Sequence, residues 1–199
     1  LRNTSLVALA ALSLGGCAAL VIGGAAVGTA LVVTDRRTSG VQLEDQNIEL
    51  KAANRIREAV GDRGHVNVTS YNRTVLLSGE VASEADRTAI EQSVGKIENL
   101  RSIVNELAVM GSSSLTARSN DAVLTSKVKA SYVDAKDLQS NAVKVVTERG
   151  TVFLMGRVTE REATRAADLA RGVSGVQKVV RVFEILTEAE LAALGGTKN

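Results

Sequence analysis

The 199-residue chain has one cysteine, one histidine, no tryptophan and no proline, and only 2% of it is aromatic. Each shortage excludes something. One cysteine makes no disulfide within the chain. One cysteine and one histidine fall short of a structural metal cage, so no metal or other cofactor is expected. Without proline, every turn has to be made by Gly, Asn, Asp or Ser. With few aromatics, the 45% of apolar residues must build aliphatic cores from Val, Leu, Ile and Ala. Catalytic chemistry is scarce as well. His65 opens an apolar stretch and has no cysteine to pair with, so it reads as a turn or surface residue. No Gly-x-Gly-x-x-Gly opens a helix, and Gly23-Gly24 lacks the lysine of a phosphate loop. Ser112–Ser114 reads as linker. Glu160 and Glu162 flank Arg161 at a helix start, where the helix dipole favours acid. The interleaved basic and aromatic residues of a single-strand nucleic-acid binder are missing. The chain is therefore expected to be no enzyme, with no small-molecule substrate and no nucleic acid as partner.

What is present begins at the amino end. Arg2 precedes an apolar run from Leu6 to Leu14, then Gly15-Gly16-Cys17. A positive start, an apolar stretch and small residues form a secretory leader. A cysteine directly behind the small residues resembles the bacterial lipoprotein box. The resemblance implies that residues 1–16 are removed and that Cys17 carries covalent lipid. It also implies, with Ala18 and not aspartate next, a place at the periplasmic face of the outer membrane. Two or three acyl chains hold firmly where one binds marginally. The alternative is a membrane-spanning helix, since Leu6 to Val33 is long enough to cross a bilayer.

The rest of the chain repeats. Val66-Asn67-Val68 and Thr74–Val81 return as Val143-Lys144-Val145 and Thr151–Val158, at an offset of 77. Asp45 and Ile48 match Asp121 and Leu124 at 76, as Ile97–Leu100 matches Val173–Val176. Two copies of about 65 residues mean two copies of one domain. In each, apolar residues at intervals of four (Ile48, Ala52, Ile56, Val60; Leu124, Val128, Tyr132) predict a helix, with Asp45 and Asp121 where an N-cap would sit. Two β-branched runs follow, joined at Tyr71-Asn72-Arg73 or Glu148-Arg149-Gly150, and read as a hairpin. Gly79 and Gly156 interrupt the second strand, which points to a bulge or a close backbone approach. A second helix (84–94, 161–172) and a third strand (100–109, 176–186) complete the unit. The fold class is α+β, with tandem αββαβ domains that each lay two helices on one face of a three-stranded sheet. The expected organisation is leader 1–16, lipidated tether 17–43, domain 44–109, linker 110–118, domain 119–186 and tail 187–199, the tail opening with a capped helix at Thr187. Each repeat is long enough for a marginal core of its own. Residues 44–109 carry 8 Lys/Arg and 11 Asp/Glu, whereas 118–186 carry 12 and 8. A basic second half points to an anionic partner surface.

The sequence Gly150-Thr151-Val152-Phe153-Leu154-Met155-Gly156-Arg157-Val158, with Val173-Ser174-Gly175-Val176-Gln177-Lys178-Val179, resembles the BON-domain signature. The first copy departs from it at Arg73 and Asn99, where glycines are usual. A lipoprotein box followed by two such domains is similar to the dual-BON outer-membrane lipoproteins. That resemblance implies a non-enzymatic protein whose second domain binds anionic phospholipid and supports envelope integrity, with a possible role at the division site. It places the membrane contact on the first helix of the second domain. The candidate residues here are Val123, Leu124, Lys127, Val128, Lys129, Tyr132, Val133 and Lys136. Leu124 and Val128 share the core spacing and are expected to be mostly buried. The membrane face is then Val123, Lys127, Ala130, Ser131 and Val133 beside Lys129 and Lys136. Val123 stands where the family has an aromatic anchor, with Tyr132 as a partial replacement. The alternative is a periplasmic adaptor for an envelope protein or a peptidoglycan-associated partner.

Overall fold

The computed structural model describes residues 35–195; the leader, Cys17, most of the tether and the last four residues lie outside them. Both copies fold as helix, strand, strand, helix, strand. The first comprises α1 (Ser39–Val60), β1 (Gly64–Tyr71), β2 (Thr74–Val81), α2 (Glu84–Val94) and β3 (Ser102–Val109). The second comprises α3 (Leu115–Asp134), a short 3-10 turn (Ser140–Ala142), β4 (Val143–Glu148), β5 (Thr151–Thr159), α4 (Glu160–Arg171) and β6 (Lys178–Leu186). A last helix, α5 (Glu188–Gly195), starts where Thr187 Oγ1 accepts the Glu190 N–H. In each sheet the hairpin is antiparallel and the third strand runs parallel beside the second, so β2 and β5 are central.

The helices begin earlier than the aspartates suggested. Thr38 and Ser114 are the N-caps, accepting the N–H of Val41 and Ala117. Asp45 and Asp121 lie nearly two turns inside, so the N-cap assignment is corrected. Their carboxylates cap the hairpins instead. Asp45 accepts the Asn72 and Arg73 N–H at 2.8 and 2.7 Å, and Asp121 accepts those of Arg149 and Gly150 at 2.8 Å each. Those turn residues are left-handed in pairs, with φ of 50° and 65°, then 52° and 71°. Two such residues in succession suit the right-handed twist of a two-residue hairpin. The departure at Arg73 is thus held by an ionic cap. The departure at Asn99 is milder, because asparagine tolerates the left-handed region better than most residues (φ 63° here).

Each domain has its own aliphatic core. Ile48, Ala52, Ile56 and Val60 pack on Val75, Leu77, Val81, Ile90 and Val94. Val128 and Tyr132 pack on Val152, Leu154, Val158 and the alanines of α4. A third cluster belongs to neither. Tyr71 and Leu76 of the first sheet meet Phe153 and Met155 of the second, with Val104, Val146, Val180 and Val182 around them. The two sheets therefore face each other, and the helices form the outer layers. Central strands buried on both faces read as continuous apolar runs, which accounts for Val75-Leu76-Leu77 and Val152–Met155.

Charge crosses this interface in both directions. Lys144 of the second domain meets Glu49 of the first at 3.2 Å, and Arg149 meets Glu80 at 3.5 Å. Arg101 of the first domain meets Glu184 of the second at 2.7 Å. Part of the acidic–basic asymmetry between the repeats is thus matched inside the protein. Glu148 is buried here beside Asn67, and burial pushes its carboxyl above the usual range.

Candidate functional site

The second domain's first helix, α3, separates its residues by depth. Asp121, Leu124, Val128 and Tyr132 recur at intervals of three and four and are its buried residues. Tyr132 is 1% exposed, and its hydroxyl donates to the Ala166 carbonyl at 3.0 Å. Burial pushes that phenol well above its ordinary range. Leu124, Val128 and Tyr132 are core residues in this fold, which corrects their place among the lipid contacts. Tyr132 in particular cannot replace the missing aromatic at Val123, because reaching a membrane would require extracting it from the core.

The outward side is continuous. Val123, Ser126, Ala130 and Val133 follow one another at intervals of three, four and three, and all are exposed. Val123 is 54% and Val133 71% exposed. Lys127 and Lys129 flank this stripe on opposite sides, and Lys136 follows beyond the last turn, all exposed. Ser131 is half-buried and bonds back to the Val128 carbonyl, so it leaves the predicted face, and Ser126 takes a place on it. A helix with a stripe of small and apolar residues between cations suits the boundary between headgroups and acyl chains.

Beside Lys127 runs an open groove of about 730 Å³, between α3, the linker serines 112–114, the hairpin turn and Gln177. The turn brings Arg149 to this groove. No pattern around α3 pointed to Arg149. The available signal was indirect: the repeat aligns it with the turn residue Asn72, and Asp121 holds that turn against the helix. Its guanidinium also faces Glu80, so its charge is shared with the first domain.

The corresponding helix α1 presents another surface. Leu43 and Leu50, seven residues apart, are 59% and 66% exposed. Asn47 and Asn54 take the places of Val123 and Ala130 in the repeat. Among the described residues, no group of three His, Cys, Asp or Glu side chains could hold a metal ion. His65 lies half-buried in β1 with Nε2 3.3 Å from the Asn67 amide. Among the described residues, no helix is long and apolar enough to cross a membrane. The alternative span over 6–33 lies outside them, as does Cys17.

A helix-on-sheet unit, twice repeated, with glycines at the centre of the signature strand, defines the class. The BON-domain family model matches residues 44–111 and 120–187, and the chain belongs to that family. The chain is 40% identical to the outer membrane lipoprotein DolP of Haemophilus influenzae over 190 residues, covering 94% of this chain and 97% of that protein. It is 31% identical to the 21 kDa hemolysin of Actinobacillus pleuropneumoniae, covering 75% and 78%. The osmotically-inducible protein Y of Escherichia coli is 30% identical over 57% of this chain and 58% of that protein.

Proposed function

We propose that this protein is a lipid-anchored outer-membrane protein whose second BON domain docks on anionic phospholipid through α3, supporting envelope integrity without catalysis. The carrying observation is the outward stripe of α3, with exposed Val123 and Val133 between Lys127 and Lys129. The similarity to a named outer membrane lipoprotein over nearly the whole chain supports the anchor and the compartment. The leader ending in Gly15-Gly16 directly before Cys17 supports it as well. Each basic residue close to an anionic leaflet is worth about 1 kcal/mol, so three lysines and two valines make a weak contact. A weak contact suffices for a domain already tethered, because tethering raises its effective concentration at the surface.

The anchor is tested by Cys17→Ser. Incorporation of labelled palmitate should fall to background, and the chain should leave the outer-membrane fraction. Unchanged label would overturn the anchor.

Docking is tested by vesicle flotation of a form beginning at Asp35, which retains both cores but not the anchor. Binding should require anionic lipid and weaken as salt shortens the Debye length, about 8 Å at physiological ionic strength. Lys127→Glu with Lys129→Glu should reduce it about tenfold or more, beyond any charge reversal in residues 44–109. Val123→Trp should strengthen it, because an amphipathic ring sits well at headgroup depth. No binding to anionic vesicles at low salt, even with Val123→Trp, would defeat this reading. The second reading, an adaptor for an envelope protein, is favoured by exposed Leu43 and Leu50 on α1. It predicts that charged substitutions at those two positions abolish partner capture and leave vesicle binding intact.

A further inference from the structure

Two neighbouring arginines precede α1, and they go to different domains. Arg36 lies against the second. Its guanidinium donates to both oxygens of the Glu162 carboxylate, at 2.7 Å each. It also donates to Gln139 Oε1 at 3.0 Å and to the Arg157 carbonyl at 2.8 Å. Arg157 in turn donates to the Arg36 carbonyl at 3.0 Å. The two side chains of the ion pair are 7% and 6% exposed, so this is not a surface pair. Arg37 turns the other way. It meets Asp45 of the first domain at 2.8 Å and stacks over the Tyr71 ring, 4.1 Å from its centroid.

The linker shows what an ordinary version of this crossing looks like. The repeat places Ser113 where Arg37 stands and Glu80 where Arg157 stands. Ser113 donates its backbone N–H to Glu80, again from the segment before one domain to the central strand of the other. That contact buries one carboxylate, faced at 3.5 Å by a half-exposed arginine, Arg149. At the tether, two opposite charges are buried in fork geometry. Desolvating such a pair is costly unless every remaining hydrogen-bonding position is also satisfied, and here Gln139, the Arg157 carbonyl and the Thr159 N–H complete it. The Arg36 guanidinium holds the Glu162 carboxyl below its ordinary range, so the pair stays charged in mild acid.

We propose that Arg36-Arg37 is a staple. It seals the end of the tether to the second domain, joins both domains into one body, and sets where the chain from the anchor leaves that body. Its partner Gln139 lies three residues beyond Lys136, so the exit is beside the carboxyl end of α3. Cys17 precedes Arg36 by 19 residues, about 60 Å at full extension. The staple therefore fixes the end of the arm to the second domain as well as to the first, close in sequence to Lys136 of the proposed lipid face. This consequence rests on the anchored reading above; the staple itself does not.

The test is limited trypsin digestion of the full chain in detergent micelles, with cleavage followed by mass spectrometry. In the wild type, the bonds after Arg36 and Arg37 should be cut at least tenfold more slowly than in a synthetic peptide of residues 33–40. Glu162→Gln keeps an acceptor for the Thr159 N–H but removes the charge, and should speed the cut after Arg36 at least tenfold. Arg36→Lys keeps the charge without the fork and should fall between. A thermal melt shows whether Glu162→Gln stays folded, and the staple predicts a cut at Arg36 without new cuts in either core. Peptide-like cleavage of the wild type, no change in Glu162→Gln, or cuts opening throughout both domains at once would each overturn it. Flotation of the anchor-free form beginning at Asp35 reads the other claim: protection at Arg36 in the full chain without binding of that form to anionic vesicles would sink the lipid reading and leave the staple standing.

Discussion

Gly156→Val should collapse the second domain's cooperative melt to a lower temperature by 10 °C or more. Gly156 sits in β5 opposite Val143. A Cβ there would lie 2.3 Å from the Ala142 carbonyl oxygen, a backbone atom just before β4. No rotamer relieves such an overlap. Either β4 separates from β5 or the 3-10 turn at Ser140–Ala142 moves, and both disturb the core that Ala142, Val143 and Val145 help to build. Overpacking a dense interior costs about 1–3 kcal/mol and sometimes more, and 1 kcal/mol is worth about 4–8 °C in a domain of this size. Gly79→Val should be worse in the first domain. There the added Cβ would stand 2.0 Å from the His65 carbonyl oxygen, and the backbone has φ +113°, a conformation that side chains rarely adopt. Circular dichroism melts of both variants check the size and the order. A Gly156→Val protein melting within 2 °C of wild type would refute the close-approach account.

Asp45→Ala should destabilise the first domain by about 3–5 kcal/mol, in the range seen when one partner of a buried ionic network is removed. The carboxylate accepts from Ser70 Oγ at 2.6 Å, from the N–H groups of Asn72 and Arg73, and from Arg37. Its removal leaves two turn N–H groups without their acceptor, each costing about 1–3 kcal/mol where water cannot replace it. It also releases a turn in which a non-glycine residue, Arg73, holds a left-handed conformation. Asp45→Asn should cost less, since one acceptor oxygen remains. Asp121→Ala should also cost less than Asp45→Ala, because Asp121 holds two turn N–H groups and the second turn residue is Gly150, which adopts positive φ without strain. Urea unfolding of the three variants measures this order. An Asp121→Ala loss equal to or above that of Asp45→Ala would show that the turn, and not the wider network, sets the energy.

Local pattern made much of the fold legible. Ile48, Ala52, Ile56 and Val60 are buried as their spacing requires, because a period near 3.6 puts them on one face. The hairpins and the glycine-marked central strands lie where β-branched runs and turn residues place them. The capping role of Asp45 and Asp121 was misassigned for a physical reason. An aspartate before an apolar stripe looks the same in sequence whether its carboxylate reaches the helix's own N–H groups or a turn 27 residues later. The true N-caps, Thr38 and Ser114, precede a turn and a half of mixed residues with no apolar periodicity to mark them.

Helix α3 was half legible. Its buried side followed from spacing, and so did Val123, Lys127 and Val133 on the outside. Tyr132 was not separable from that outside by composition, since an aromatic near lysines also looks like an interface anchor. Its distance from the surface is set by where α4 packs, through a hydroxyl bonded to the Ala166 carbonyl.

By itself the sequence determined the repeat, the order of elements within it and the aliphatic cores, because each depends on residues close together along the chain. Tertiary structure alone decided how the two domains meet. Leu76, Phe153 and Met155 are apolar on the strand face away from their own helices, and only the opposing sheet shows what covers them. It also decided that Arg36 belongs to Glu162, 126 residues away. Neighbouring basic residues beside a tether read as solvated charge until a carboxylate from the far end of the chain folds against one of them and excludes the water.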